Sequence, residues 1–161
     1  MEKTNKVEKT NKMEETKETQ ESLQRKREQA LQRLHKERTE EALWDCVTAY
    51  QDFEFHTYSG LPYSYYMKYS RSGTYTKELW INRREKSKSL VWSSVRSAYQ
   101  KVLELQQESK RPVVERPKAL GDIRGITYIY GIFYEFALLE MPEKEKEKIA
   151  LQTAGQKSPK K

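Results

Sequence analysis

Residues 63–84 read YSYYMKYSRSGTYTKELWINRR and contain two runs rich in aromatic and β-branched residues. These residue types favour extended strands, so Tyr63–Ser70 and Tyr75–Arg84 are predicted strands, joined by the short glycine-containing turn Arg71–Thr74. A third run, Phe53–Tyr58, precedes them and is separated from them by the turn sequence SGLP. The stretch therefore predicts a three-stranded antiparallel meander.

The predicted strand at 63–70 alternates between two kinds of side chain. Successive residues of a strand point to opposite faces of a sheet. The two sets are Tyr63, Tyr65, Met67 and Tyr69, and Ser64, Tyr66, Lys68 and Ser70. The first set predicts an apolar face, and the second set predicts a face that is polar, aromatic and cationic.

Helical patterns flank the predicted strands. Residues 39–52 begin with a threonine, a preferred N-cap, and carry apolar side chains at i, i+3, i+4 and i+7. A second helix is predicted after the strands; either Ser89 or Ser93 fits as its N-cap, so the structure of residues 85–92 stays open. Residues 125–139 repeat apolar side chains every three to four positions and predict a third helix. The predicted fold class is α+β, with a helix, the three-stranded meander and two further helices.

The aromatic residues divide the chain into parts. All 18 of them lie between Trp44 and Phe136, and a segment without large apolar side chains cannot bury enough surface to offset the entropy of ordering. We therefore predict a compact α+β domain at 39–141, a charged N-terminal extension at 1–38 that is disordered and then helical, and a disordered basic tail at 142–161. Whether the helical part of the extension forms a coiled coil stays open.

Charge is unevenly distributed along the chain. There are 31 Lys and Arg residues against 24 Asp and Glu residues, which gives a net charge of +7. Residues 68–124 contain 14 basic and six acidic residues, whereas residues 39–67 contain five acidic residues and no Lys or Arg. The positive charge is therefore concentrated in residues 68–124, which we call the basic block.

Composition excludes several classes of protein. The longest stretch without a charge, residues 55–67, is too short and too polar to span a bilayer, and the N-terminus has no apolar run that would make a secretion signal. Cys46 is the single cysteine, which excludes a disulfide scaffold and predicts a reducing, cytoplasmic compartment. Cys46 falls on the apolar side of the first predicted helix, where a small buried hydrophobe is favoured over a reactive thiol.

Motifs for metal binding and catalysis are missing from the sequence. It contains no CxxC, HxH or HExxH motif, and no GxxxxGK or GxGxxG phosphate-binding loop. His56 is the only histidine of the predicted domain, and a structural role beside Phe55 is favoured over that of a general base. We therefore predict no metal or other cofactor, no catalytic residue, and a protein that is not an enzyme.

The basic block predicts a surface for nucleic acids. Basic residues gathered on one surface bind phosphates and release counterions, and the serines interleaved with them add hydroxyl groups that commonly contact phosphate. The predicted phosphate-contacting residues are Lys68, Arg71, Lys77, Arg83, Arg84, Lys86, Lys88, Arg96 and Lys101. Tyr66 and Trp80 are candidates for stacking on the bases of a single or splayed strand.

Three stretches carry a resemblance to other proteins: FHTYSGLP at 55–62, RREKSKSLVWSSVRSAY at 83–99 and RPKALGDIRGITYIY at 116–130. Through them, residues 44–140 resemble small basic proteins of unassigned function from gut Firmicutes and their mobile elements. The resemblance implies a bacterial, phage or mobile-element setting, in which small basic proteins often act on nucleic acids or nucleoproteins. It implies no catalytic residue.

Three functional hypotheses follow from the sequence. The first is a non-enzymatic nucleic-acid-binding accessory protein of a bacterial mobile element or phage. The alternative is a protein–protein effector of the phage anti-defence type, which would inhibit a nucleic-acid-handling host enzyme and direct the acidic residues 39–67 at a basic groove. The third is an enzyme, which would need His56 beside a carboxylate in a cleft. No membrane partner is predicted, and the sequence leaves open DNA against RNA, sequence specificity and oligomeric state.

Overall fold

Two compact units make up the chain, Met1–Tyr50 and Gln51–Lys161. A computed structural model describes residues 2–73, 75–82 and 88–147, with side chains for all of these except 2–18, 69, 75 and 88. Sequence predictions that fall on residues 83–87 and 148–161 therefore lie outside the described residues. The fold class is α+β, as the sequence predicted.

The first unit consists of two helices, α1 (Glu2–Glu37) and α2 (Glu40–Ala49). α1 includes residues 2–13, for which the sequence predicted disorder; this part of the chain is rich in the helix formers Glu and Lys and has no glycine or proline. Thr39 caps α2 as predicted, because its Oγ1 accepts a hydrogen bond from the N–H of Ala42 at 3.1 Å.

Arginines of α1 hold α2 beside it. Nε of Arg27 donates to the carbonyl oxygen of Ala49 at 2.9 Å, and its guanidinium lies 5.5 Å from the ring centroid of Tyr50. A cation is favourable at this end of α2, where the helix dipole is negative. Six residues further along α1, Arg33 pairs with Asp45, which lies four residues before Ala49 on α2. Since the contacts run forward along α1 and backward along α2, the two helices are antiparallel.

The second unit is built on a four-stranded antiparallel sheet with the order β1-β2-β3-β4. The strands are β1 (Phe55–His56), β2 (Pro62–Tyr69), β3 (Tyr75–Asn82) and β4 (Lys88–Val91). The prediction of three strands was therefore one short. Leu90 of β4 is buried opposite Leu79, but the sequence KSLV does not alternate between polar and apolar residues, so its strand depends on pairing with β3.

The chain that leads into β1 covers part of the edge of β2. The N–H of Asp52 donates to the carbonyl oxygen of Tyr65 at 2.8 Å, and Oε1 of Gln51 accepts from the N–H of Met67 at 2.8 Å. An unpaired strand edge is a template for association with other chains. These two contacts satisfy backbone groups of β2 at Tyr65 and Met67, beyond the two residues with which the short strand β1 pairs.

Three helical elements follow the sheet: α3 (Trp92–Leu105), a 3-10 turn (Pro117–Leu120) and α4 (Ile126–Glu135). Neither Ser89 nor Ser93 caps α3. The residue at the N-cap is Val91, without a side-chain cap, because β4 runs directly into the helix. Among the described residues, no helix combines the length and the apolar character needed to cross a membrane.

One face of the sheet, which we call the inner face, forms the core of the second unit. Its buried strand residues are Phe55, Tyr63, Tyr65, Met67, Leu79, Ile81 and Leu90. The ring of Phe55 stacks on that of Tyr65 with centroids 5.4 Å apart and meets Phe136, just after α4, edge-on at 6.1 Å. Tyr99 of α3 meets Phe133 of α4 at 6.1 Å. The predicted apolar face of β2 is therefore confirmed for the three side chains that are described.

Two buried tyrosines of this core, Tyr63 and Tyr130, make hydrogen bonds with their hydroxyl groups. The Tyr63 hydroxyl donates to the carbonyl oxygen of Tyr128 at 2.5 Å, and the Tyr130 hydroxyl donates to that of Val114 at 2.6 Å. Burial raises the pKa of Tyr63 and of Tyr130, because an ionised phenolate would lose its contact with water. Backbone carbonyl groups therefore satisfy the hydroxyl groups of these two buried tyrosines.

Candidate nucleic-acid interface

The opposite face of the sheet carries the predicted stacking residues. Tyr66 lies opposite Trp80, and Trp80 lies opposite Ser89. Because directly opposed residues of antiparallel strands share a face, these three residues form a row across β2, β3 and β4. Tyr66 and Trp80 are half-buried, and Ser89 is exposed. We call this the outer face; its residues are Ser64, Tyr66, Lys68, Thr76, Glu78, Trp80, Asn82, Ser89 and Val91.

Lys68 lies over the ring of Trp80. Its Nζ is 4.0 Å from the ring centroid, and the side chain is exposed. A cation–π contact at an exposed site contributes about 0.5–1 kcal/mol, so the ammonium can leave the ring at small cost. The indole N–H of Trp80 is buried and makes no hydrogen bond with the described residues. Packing and the ammonium of Lys68, rather than a hydrogen bond, therefore position this ring.

Arg71 lies in the turn that joins β2 to β3. The turn is closed by a hydrogen bond from the N–H of Gly73 to the carbonyl oxygen of Ser70 at 3.0 Å, and the hydroxyl oxygens of Ser70 and Ser72 are 2.8 Å apart. Gly73 has a φ of +86°, a conformation that favours glycine. Arg71 is exposed and three residues from Lys68, so two cations stand at this end of the sheet.

Lys77 belongs to a different surface. It alternates along β3 with Leu79, which is buried on the inner face, and its own side chain is exposed. Its Nζ lies 5.6 Å from the ring centroid of Trp92, the first residue of α3. The predicted phosphate-contacting residues Lys68 and Lys77 are thus on opposite faces of the sheet, and each is near a tryptophan.

The two predicted cations of α3 differ in their surroundings. Arg96 is exposed and lies one helical turn after Trp92. Lys101 is also exposed, but its Nζ is 3.6 Å from Oε2 of Glu104, so part of its charge is neutralised. Trp92 was not among the residues predicted from the sequence to belong to the site, although its i, i+4 spacing to Arg96 could have indicated it.

The densest cluster of predicted cations is only partly described. Arg83, Arg84 and Lys86 lie outside the described residues, in the segment that connects β3 to β4. The backbone of Lys88 pairs with Ile81 as the first residue of β4. The structure therefore brings Tyr66, Trp80 and Lys68 together directly. That Arg83, Arg84 and Lys86 belong to the same surface stays a prediction.

The outer face also carries a carboxylate. Glu78 of β3 lies opposite Val91 of β4 and is half-buried, and Val91 is 46% exposed. A negative charge next to a row of aromatic rings repels phosphate. Glu78 lies on the same side of the Tyr66–Trp80 row as Lys68 but on β3, so a phosphate backbone is expected to follow the β2 side of the face, where Lys68 lies.

His56, the candidate general base of the enzyme hypothesis, lies in β1 beside a carboxylate. Its Nε2 is buried and 3.8 Å from Oε2 of Glu54. This distance is too long for a hydrogen bond, and the Glu54 side chain is 68% exposed. The arrangement lies at the rim of the sheet and lacks the short base–orienter hydrogen bond that a catalytic histidine uses.

Cys46 behaves as a core residue of α2. It is fully buried, as the sequence predicted. Burial, together with the nearby charge of Asp45, raises the pKa of the Cys46 thiol to about 12. The thiolate, which is the reactive form, is therefore disfavoured at neutral pH.

No protein-family model, curated protein or solved structure matches the chain. The resemblance to small basic proteins of gut Firmicutes and their mobile elements therefore stays a prediction. What bears on function is the geometry of the outer face and the charge of the basic block.

Proposed function

We propose that the protein is a non-enzymatic nucleic-acid-binding accessory protein that contacts the phosphate backbone through the basic block. Its setting would be the cytoplasm of a bacterium, and its origin a mobile element or a phage. The basic block would supply the electrostatic attraction, and the charged residues 1–38 and 142–161 would add to the affinity.

The observation that carries this proposal is the arrangement of Tyr66, Trp80 and Lys68 on the outer face. Two aromatic rings lie side by side on neighbouring strands, and an exposed ammonium lies 4.0 Å from the second ring centroid. Aromatic rings beside cations are the combination with which proteins hold bases and phosphates together.

Electrostatics supports the same function. The basic block carries eight more basic than acidic residues, and Lys68, Arg71 and Arg96 are exposed among the described residues. Each phosphate contact made by such a cation releases a counterion and steepens the dependence of affinity on salt. Binding is therefore expected to weaken sharply as the salt concentration rises.

The test is a salt titration of binding by the full chain to single- and double-stranded DNA and RNA. We expect log affinity to fall linearly with log salt, with a slope of about −0.7 for each phosphate contact on a single strand and −0.9 on a duplex. Charge reversal of Arg83, Arg84, Lys86 and Lys88 to Glu should flatten this slope, and so should Lys68→Glu with Arg71→Glu.

A matched control reverses the same charge outside the basic block. Lys26 and Lys36 are exposed residues of α1, and Lys26→Glu with Lys36→Glu changes the net charge as much as the Lys68 and Arg71 pair does. The control should flatten the slope less. Absence of binding at low salt, or equal effects of the two double variants, would contradict the proposal. Capture of a single host protein by a chain with no affinity for oligonucleotides would instead support the protein–protein alternative.

A further inference from the structure

We propose that the outer face takes unpaired nucleotides, and that Lys68 is an exchangeable cover for the Trp80 ring. In the free protein the Lys68 ammonium lies on the ring; in the complex a base stacks there and the ammonium moves to a phosphate of the same strand. This inference rests on the proposed function and adds to it the class of nucleic acid that is bound.

The geometry of the row favours unpaired bases over a duplex. Tyr66 and Trp80 are directly opposed on β2 and β3, and opposed side chains of neighbouring strands are spaced by about 5 Å at Cβ. Rings held in this way can each receive the flat face of one base. In a duplex the flat faces of the bases are already stacked on one another, so only an unpaired or splayed strand can present them.

The exchange of Lys68 for a base is favourable in magnitude. A cation–π contact at an exposed site favours the covered ring by a factor of about two to five. Stacking one base on an aromatic ring raises affinity by a factor of about five to 150. The ammonium is also not lost in the exchange, because a phosphate of the stacked nucleotide provides a new partner.

Charge complementarity sets the path of the strand. Lys68 and the exposed Arg71 are close in sequence at the turn end of the β2–β3 hairpin. Glu78 lies at the same end of the face but on β3, opposite Val91 of β4. Phosphates would therefore follow the β2 side of the face, past the cations, rather than cross the carboxylate on β3. The bases then point along the row from Tyr66 to Trp80, toward the hydroxyl of Ser89.

The experiment compares strands with and without bases on the full chain. The labelled strands are about ten nucleotides long, which is within the usual site size of proteins that bind single-stranded nucleic acids. They are prepared as single-stranded DNA, single-stranded RNA, a blunt duplex and a single strand of abasic sites. The base-bearing single strands should bind about tenfold more tightly than the abasic strand. A preference between DNA and RNA identifies the source of the nucleotides, and either preference is compatible with stacking.

Two substitutions locate the effect. Trp80→Leu keeps an apolar side chain in a half-buried position, and it should lower affinity for base-bearing single strands about tenfold while leaving affinity for the abasic strand unchanged. Trp92→Leu is the matched control, because Trp92 also lies near a lysine but outside the row. It should leave both affinities unchanged.

Lys68→Met tests the exchange itself. Loss of one phosphate contact should flatten the salt slope for single strands by about 0.7, whereas affinity at high salt should not fall, because the ring is then uncovered. A fall in affinity that is as large at high salt as at low salt would overturn the exchange.

Failure of this inference is distinguishable from failure of the proposed function. If the abasic strand binds as tightly as the base-bearing strands, the contact is to phosphate alone and the inference is wrong while the proposed function stands. If the duplex binds more tightly than the single strands, the inference is equally wrong. If no strand binds at low salt, both are overturned; the abasic comparison needs no variant, so a misfolded variant cannot obscure it.

Discussion

The two faces of the sheet are built from the same strands and the same kinds of residue, but their aromatic rings have different surroundings. On the inner face, Tyr63 and Tyr65 are at most 3% exposed, and the Tyr63 hydroxyl donates to a backbone carbonyl oxygen. On the outer face, Tyr66 and Trp80 are half-buried, and a cation lies over the Trp80 ring. Aromatic residues therefore do not by themselves reveal a core; the surroundings of each ring distinguish a fully packed ring from one that is only partly covered.

The largest expected difference between the faces is in stability, at the neighbouring residues Tyr65 and Tyr66. Tyr65→Ala empties a fully buried position and should lower the free energy of unfolding by about 4 kcal/mol. Tyr66→Ala removes one cross-strand pair on the outer face and should cost about 1 kcal/mol. Urea unfolding of both variants makes the comparison, and equal losses would show that both faces belong to the core.

A second test concerns how closely α4 packs on β1. A Cβ added at Gly131 would lie 2.4 Å from the backbone oxygen of His56 and from the Tyr63 hydroxyl oxygen. Gly131→Ala should therefore lower the free energy of unfolding by about 2 kcal/mol through overpacking.

Gly73→Ala is the control for this substitution. Open space surrounds Gly73, so only its φ of +86° opposes a side chain, and the expected cost is about 1 kcal/mol. Gly73→Asn should recover part of that loss, because asparagine tolerates this conformation. A larger loss at Gly73 than at Gly131 would mean that the inner face is not tightly packed.

High pH should weaken the inner face. The pKa of Tyr63 and of Tyr130 is raised by burial, so the folded state holds these protons more firmly than the unfolded state, whose tyrosines titrate near pH 10. Their contribution to stability is complete below about pH 10 and is lost as the pH rises toward the folded pKa, by up to about 1.4 kcal/mol per pH unit for each group. Unfolding of the wild type and Tyr130→Phe between pH 9 and 11 measures this, and Tyr130→Phe should show the shallower fall. An identical pH dependence would contradict it.

The smallest expected effect is at the outer face. Glu78→Gln removes the carboxylate beside the aromatic row and should raise affinity for a single strand about threefold at low salt, with little effect at high salt. Glu104→Gln is a matched control on α3, where the carboxylate is paired with Lys101. A decrease in affinity of Glu78→Gln would show that the strand does not cross this face.

Much of the fold follows from local patterns, and the exceptions have physical reasons. The alternation in β2 predicts which face is buried because it depends only on the two-residue period of a strand. β4 does not alternate, since Leu90 and Val91 are adjacent apolar residues, and it is recognisable only through its pairing with β3. The start of α3 could not be predicted from its serines either, because the helix begins where the pairing of β4 with β3 ends, at Val91.

The candidate site was predictable in composition but not in arrangement. Lys68, Tyr66 and Trp80 were identified from their residue types, but the contact between Lys68 and Trp80 depends on the register of β2 on β3, which shifts between Met67 and Tyr69. No local pattern specifies such a shift. The side of the sheet on which Lys77 lies was predictable from the sequence, because residues 77, 79 and 81 alternate along β3 and therefore share a face.

Photo-crosslinking of the full chain tests the central claim most directly. A single strand that carries a photoactivatable thio-substituted base is irradiated in complex with the protein, and the linked residues are identified by mass spectrometry. We predict crosslinks at Tyr66 or Trp80, abolished by excess unlabelled single strand and by high salt. Crosslinks confined to α1, or a complex that crosslinks nowhere in β2, β3 or β4, would contradict the assignment of the outer face as the nucleic-acid interface.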